Sequence, residues 1–182
     1  KHIDLSARLG VSILRLFAGW ADEDQITETT YGQVSEALRE IGLYAKRYDM
    51  VVAMENHGGI TRTAERVERI LASTGLDSVG LNYDPANFLY YGEDPEQALQ
   101  RLLPYVVLTH LKSCRYDNGL VEYCRVADGV IDYGPILTQL INAGYDGYWG
   151  LEYEDESDVE QGTVDDLHAL RSLLLSGKTN RP

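Results

Sequence analysis

Val51-Val-Ala-Met-Glu-Asn-His-Gly-Gly59 decides how the rest of the chain is read. A short apolar run bounded by a turn signal suits a strand covered on both faces, as in a parallel sheet. The run ends in a carboxylate, an amide and an imidazole, then turns on two glycines. Glu55 and His57 are two apart, so on a strand they share one face. Taken alone, this end reads equally well as a solvated strand terminus. The units on either side have to break the tie.

Upstream, Lys1 to Leu9 reads as the end of a helix stopped by Gly10, and Val11 to Gly19 as a strand. After a polar loop from Ala21 to Thr30, a helix runs from about Thr30 to Tyr48. Its Val34, Leu38, Ile41 and Ala45 keep one apolar face. Downstream the unit repeats. Thr63 to Ser73 is a helix, Val79 to Asp84 a strand, and Asp94 caps a helix with Pro95 first, running to Leu103. Val106 to Lys112 is a strand, and Ser113 to Val130 a long loop. A helix then opens at Asp132 or Tyr133 and ends at Gly144. Tyr148 to Glu154 is the last strand. A final helix starts at a Thr163-x-x-Asp166 cap and buries Leu167, Leu170, Leu173 and Leu174.

This alternation, with no hairpin signal, predicts parallel strands joined by right-handed crossovers. Without linkers or low-complexity segments, residues 1–182 read as one domain. Five strands are visible, whereas a closed parallel barrel has eight in about 250 residues. Either the sheet is open or three leading βα units lie outside this sequence.

Net charge of −13 argues against a nucleic-acid partner, because a phosphate backbone calls for clustered Lys and Arg. No apolar stretch is long enough to span a bilayer and no signal segment opens the chain, so no membrane partner is expected. Lys1 in place of Met reads as a trimmed or processed N-terminus. Cys114 and Cys124 fit neither a disulfide framework nor a zinc ribbon. They read as reduced thiols of a cytoplasmic protein, in preference to a bridged pair.

The polar residues at the C-terminal ends of the last four strands are Glu55, Asp84, His110 and Glu152, each one βα unit from the next. In an α/β barrel such ends line one rim, where the chemistry sits. Three carboxylates brought together repel, and their pKa values rise unless a cation lies among them. Three oxygen donors and one imidazole suit Mn²⁺, Mg²⁺ or Co²⁺ better than a sulfur-rich zinc site does. Singly, each has a blander reading. Asp84 before Pro85 starts a turn, a lone His is more often a core residue, and Glu152 opens an acidic run to Glu156. Four matching ends on four successive strands favour the metal.

Five motifs carry a resemblance across nearly the whole chain. They are Glu55-Asn-His-Gly-Gly59, Asp84-Pro-Ala-Asn-Phe88, His110-Leu-Lys112, Asp128-Gly-Val-Ile-Asp132 and Gly144-Tyr-Asp-Gly-Tyr-Trp-Gly-Leu-Glu152. On these the chain resembles the xylose isomerase-like (β/α)8 TIM barrels. That superfamily includes ketose 3-epimerases, hydroxypyruvate isomerase, inosose dehydratase and endonuclease IV. The resemblance implies an α/β fold in which this chain supplies the C-terminal five βα units. It also implies one divalent ion on Glu55, Asp84, His110 and Glu152, with Mn²⁺ first and Mg²⁺, Co²⁺ or Zn²⁺ as alternatives. Glu55 and Glu152 would be the catalytic acid and base. Asn87 stands where endonuclease IV relatives place a histidine, and Glu122-Tyr-Cys-Arg-Val126 lacks their Asp-x-His motif. A trinuclear zinc site is therefore not expected. Ketose 3-epimerases also tend to have a substrate-binding His where Asn87 stands.

The expectation is a metal-dependent sugar isomerase or epimerase, abstracting a proton beside a ketose carbonyl through an enediolate. His57, Asn87, Lys112, Arg15 and Arg125 are the candidate substrate contacts. Arg15 stands in an apolar run, which is costly unless paired. Arg115 is a weaker candidate. Phe17, Trp20 and Phe88 could wall a pocket against the sugar. The alternative is a dehydratase of the same scaffold, acting on an inosose or dehydroshikimate-like substrate. It starts with the same proton abstraction. A third reading is a non-catalytic barrel that binds sugar or a partner protein. Exposed sheet edges and helix faces of an incomplete barrel predict instability or self-association as a homo-oligomer.

Overall fold

The computed structural model describes residues 1–179. In chain order its elements are α1 (His2–Arg8), β1 (Ile13–Phe17), α2 (Glu28–Lys46), β2 (Val51–Glu55), α3 (Ala64–Thr74), β3 (Val79–Tyr83) and α4 (Pro85–Tyr90). There follow α5 (Pro95–Leu102), β4 (Val106–Leu111), β5 (Ser113–Asp117), β6 (Leu120–Cys124), α6 (Tyr133–Asn142), β7 (Trp149–Leu151) and α7 (Val159–Thr179). One sheet holds β1-β2-β3-β4-β7 in that order, every pair parallel. It forms half of a TIM barrel, with helices covering its outer face.

Local chemistry sets the element ends. Thr27 and Thr30 form a reciprocal capping box at the start of α2. Asp94 caps α5 through the Glu96 and Gln97 amides, with Pro95 first in the helix. The α3 helix stops at Gly75, whose φ of 61° favours glycine. The core lies between strands and helices. Val52, Met54, Leu81 and Tyr83 are buried, as are Ile70 of α3 and Leu99 of α5. Burying each such aliphatic side chain contributes about 1.5–3 kcal/mol. The strand ends therefore stand on a close-packed floor.

Several expectations need correcting. The span 113–130 is not simply a loop, for β5 and β6 pair as an antiparallel hairpin. Its turn is Asn118-Gly119, with φ of 49° and 82°. That dipeptide between alternating residues is a hairpin signal, because both turn positions need positive φ. Asp84 does not merely start a turn. It caps α4 through the Ala86 and Asn87 amides. The final helix begins at Val159, and Thr163 lies inside it, its hydroxyl donating to Val159 O at 2.6 Å. Of its leucines Leu170 is buried, whereas Leu167 and Leu173 are exposed. Cys114 and Cys124 are free thiols. No helix among the described residues is long and apolar enough to cross a membrane.

One irregularity bears on the site. Leu81 pairs with Val106, but Asn82 pairs with Leu108, so β4 carries one extra residue, Val107, opposite β3. Gly80 leaves room for it: a Cβ there would lie 2.6 Å from Val107 Cγ1 and 2.8 Å from Tyr105 O.

Candidate metal centre

Glu55 is the last residue of β2, Asp84 follows β3, His110 is in β4, and Glu152 follows β7. Each offers one ligand atom, and these atoms lie within 4.8 Å of one another. Glu55 and Asp84 are buried, whereas His110 and Glu152 are partly open to solvent.

Glu55 is held from three sides. Arg15 Nη1 and Asn82 Nδ2 each donate to its Oε2 at 3.0 Å, and Asn87 Nδ2 donates to its Oε1 at 3.3 Å. Asp84 Oδ1 accepts the Ala86 and Asn87 amides at 2.9 and 3.2 Å. Its backbone is fixed by Asn56, whose Nδ2 donates to Asp84 O at 2.8 Å and whose Oδ1 accepts from Asp84 N at 2.9 Å. His110 Nδ1 lies 3.4 Å from Glu152 Oε1 and 3.6 Å from Glu55 Oε2. Lys112, buried, directs its Nζ to Glu152 Oε2 at 2.9 Å and Glu154 Oε1 at 2.5 Å, with Asp84 Oδ2 at 3.2 Å.

Burial lifts the Asp84 carboxyl to about 7, against the pull of Lys112 and with the repulsion of Glu55 and Glu152. Glu152 is held down to about 2, chiefly by the His110 imidazole 3.4 Å away, against burial, with help from Lys112. Burial disfavours charge on His110, but Glu152 and Glu55 outweigh it and raise its pKa. Burial likewise opposes the Lys112 ammonium, and Asp84, Glu154 and Glu152 raise its pKa despite it.

The residues fit a divalent ion. Asp84 Oδ2 and His110 Nδ1 are buried and make no well-directed hydrogen bond, their neighbours being the ion-pair partners Lys112 at 3.2 Å and Glu152 at 3.4 Å, which leaves both available to an ion. With His110 neutral, as a metal ligand must be, and all four carboxylates ionised, Glu55, Asp84, Glu152 and Glu154 face two cations among the described residues, Arg15 and Lys112. The shortfall is two positive charges, which one divalent ion carries.

Arg15, Asn87 and Lys112 join this cluster. His57 lies beyond the end of β2, exposed, with its ring 4.7 Å from that of Phe17. Arg125 is set apart, paired with Asp158 and, at 2.8 Å, with Asp165. Arg115 pairs with Glu122 across the hairpin. Phe88 is a core residue, whereas Phe17 and Trp20 are exposed. Sequence reasoning missed Asn56, Asn82 and Glu154. Asn82 stands two residues before Asp84 in a buried strand, a period that pointed to one face. Glu154 bears the same relation to Glu152, masked by the acidic run around it.

The chain belongs to the xylose isomerase-like TIM barrel family, whose model matches residues 1–173. Among curated proteins it is similar to the inosose dehydratase of Geobacillus kaustophilus. The two are 27% identical over 153 residues, 74% of this chain and 49% of the relative. The chain thus spans about half the length of the curated relatives it matches. Among solved structures it is similar to the IOLI protein with a bound zinc atom. That match has a TM-score of 0.81 and 19% identity, and covers 96% of this chain and 67% of the other. A xylose isomerase-like TIM barrel protein from Mycobacterium smegmatis, in complex with magnesium, matches with a TM-score of 0.78 and 19% identity. The cover is 96% of this chain and 65% of that one. The curated relatives overturn the expectation of an isomerase or epimerase, for they are named inosose dehydratases. Both chemistries begin with proton loss beside a carbonyl, so the spacing of the carboxylates did not separate them.

Proposed function

We propose that this chain is part of a divalent-metal-dependent dehydratase acting on an inosose, a cyclic polyhydroxy ketone. The observation that carries the reading is the match to inosose dehydratases, joined to a carboxylate–imidazole cluster suited to one ion. An ion on Glu55, Asp84, His110 and Glu152 would supply Lewis-acid polarisation of the ketone oxygen. Oxygen donors with one imidazole suit Mn²⁺ or Mg²⁺, and zinc and magnesium in similar folds mark the range.

The chain's own residues do the rest. Glu152 is ionised at neutral pH and takes the proton from the carbon beside the carbonyl. The Lys112 ammonium, 2.9 Å from Glu152 Oε2, donates to the departing β-hydroxyl, which leaves as water while the carbon–carbon double bond forms. Arg15, Asn82 and Asn87 hold Glu55 in one orientation, so the rim is set before substrate arrives.

The test is incubation of the protein with an inosose and Mn²⁺ in deuterated water. Water loss, followed by ultraviolet absorbance of the unsaturated product and abolished by Glu152→Gln, is expected. Exchange of the α-proton without water loss would overturn the lyase reading.

A further inference from the structure

The segment after β7 carries a carboxylate outside the ligand cluster. Glu154 Oε1 accepts from Lys112 Nζ at 2.5 Å. The same ammonium lies beside Asp84 and Glu152, two of the four ligand candidates. A divalent ion and Lys112 therefore face the same two carboxylates. Once an ion takes them, the lysine loses two of its three acidic partners and gains a positive neighbour. Only 2% of the Lys112 side chain is exposed, so water cannot replace those partners. A buried charge left without a counter-ion is strongly destabilising.

We propose that Glu154 is a positioning residue, holding the Lys112 ammonium as a separate ion pair so that lysine and divalent ion occupy the site together instead of competing for Asp84 and Glu152. Both partners are fixed from outside. Tyr133 donates its hydroxyl to Lys112 O at 2.5 Å, and the Tyr123 ring of the hairpin lies 5.2 Å from Lys112 Nζ. The loop beyond Glu154 is tied at Ser157, whose amide and hydroxyl donate to Asp155 Oδ1, and at Asp158, which pairs with Arg125. Arg125 thus anchors the segment that presents Glu154. The inference rests on the metal centre of the proposed function and not on which ketone is dehydrated.

Calorimetric titration with Mn²⁺ tests it, on the wild type, Glu154→Gln, Glu154→Asp, Lys112→Met and the Lys112→Met/Glu154→Gln double variant. Glu154→Gln should weaken Mn²⁺ binding roughly 10–100-fold, as for other outer partners of metal sites. Glu154→Asp should recover part of that loss. In the Lys112→Met background, adding Glu154→Gln should change affinity by less than about twofold, because no ammonium remains to compete. A carboxylate acting directly on the ion would instead weaken binding equally in both backgrounds, and that result overturns the proposal. So does unchanged affinity in Glu154→Gln. If Glu154→Gln does not fold by circular dichroism, the pair in the Lys112→Met background decides alone: a loss of tenfold or so refutes, and no loss supports. Absence of Mn²⁺ binding in the wild type would remove the metal centre itself, whereas failure of the Glu154 arms alone leaves the dehydratase reading standing.

Discussion

Asn56→Ala should loosen Asp84 and lower stability together. Asn56 is buried, and its amide closes a two-bond bridge to the Asp84 backbone, at 2.8 and 2.9 Å. Truncation leaves one buried N–H and one buried C=O without partners. Each such group costs about 1–3 kcal/mol, so the loss should be about 2–6 kcal/mol, with entry of a water favouring the lower end. That is a large share of the 5–15 kcal/mol typical of a folded domain, on the order of a third. Urea unfolding without divalent ion reads the stability, and Mn²⁺ titration reads the ligand. Asn56→Asp is the companion variant. It keeps the volume and the acceptor, loses the donor and adds a charge beside Asp84, so it should cost at least as much. The reasoning fails if Asn56→Ala unfolds within about 0.5 kcal/mol of wild type, the scatter of an ordinary surface change, and binds Mn²⁺ as tightly.

Two further outcomes are expected. Asp84 titrates near 7 in the folded, metal-free protein against an ordinary 3.8, so the folded state holds the extra proton between those values. Metal-free stability should therefore fall as pH rises through that window, by at most about 4 kcal/mol. The raised His110 adds to the fall with the same sign, whereas the lowered Glu152 acts only in more acid solution. Unfolding at pH 5 and pH 8 in chelator and in Mn²⁺ checks this: the slope should be present in the first and flattened in the second. Gly80→Ala should cost about 1–3 kcal/mol through overpacking and weaken Mn²⁺ binding, because the new methyl group meets Val107 and the Tyr105 carbonyl; unchanged melting would contradict it.

The parallel strands were legible because buried runs such as Val51–Glu55 stand between helices with a clear apolar face and capped ends. The four ligand candidates were legible because each falls at a strand end, where position alone predicts convergence. The hairpin was missed although Asn118-Gly119 announced it, because the alternation pattern had already assigned that span to a connection. The true start of α7 was hidden by a Thr-x-x-Asp pattern whose threonine bonds inside the helix. Asn56 and Glu154 were passed over for a different reason. Their role is to fix Asp84 and Lys112 and not to meet an ion, and such pairing depends on cross-strand register, which a linear pattern does not carry.

The extra residue in β4 turns strand length into a determinant of chemistry. With Val107 accommodated, Tyr83 pairs with Thr109 and the next step brings His110 level with Asp84. Loss of one codon from Val106 to Thr109 has two outcomes, set by which side of the strand closes the gap. If the N-terminal side of the strand moved up to close the gap, His110 would keep its level, and if the C-terminal side moved back, Leu111 would take it. An isobutyl group is no substitute for imidazole at a divalent ion. The sheet, its helices and most of its packing would survive such a deletion. In this strand, a single-residue deletion closed from the C-terminal side is therefore a route by which a lineage keeps the barrel and discards the candidate metal site.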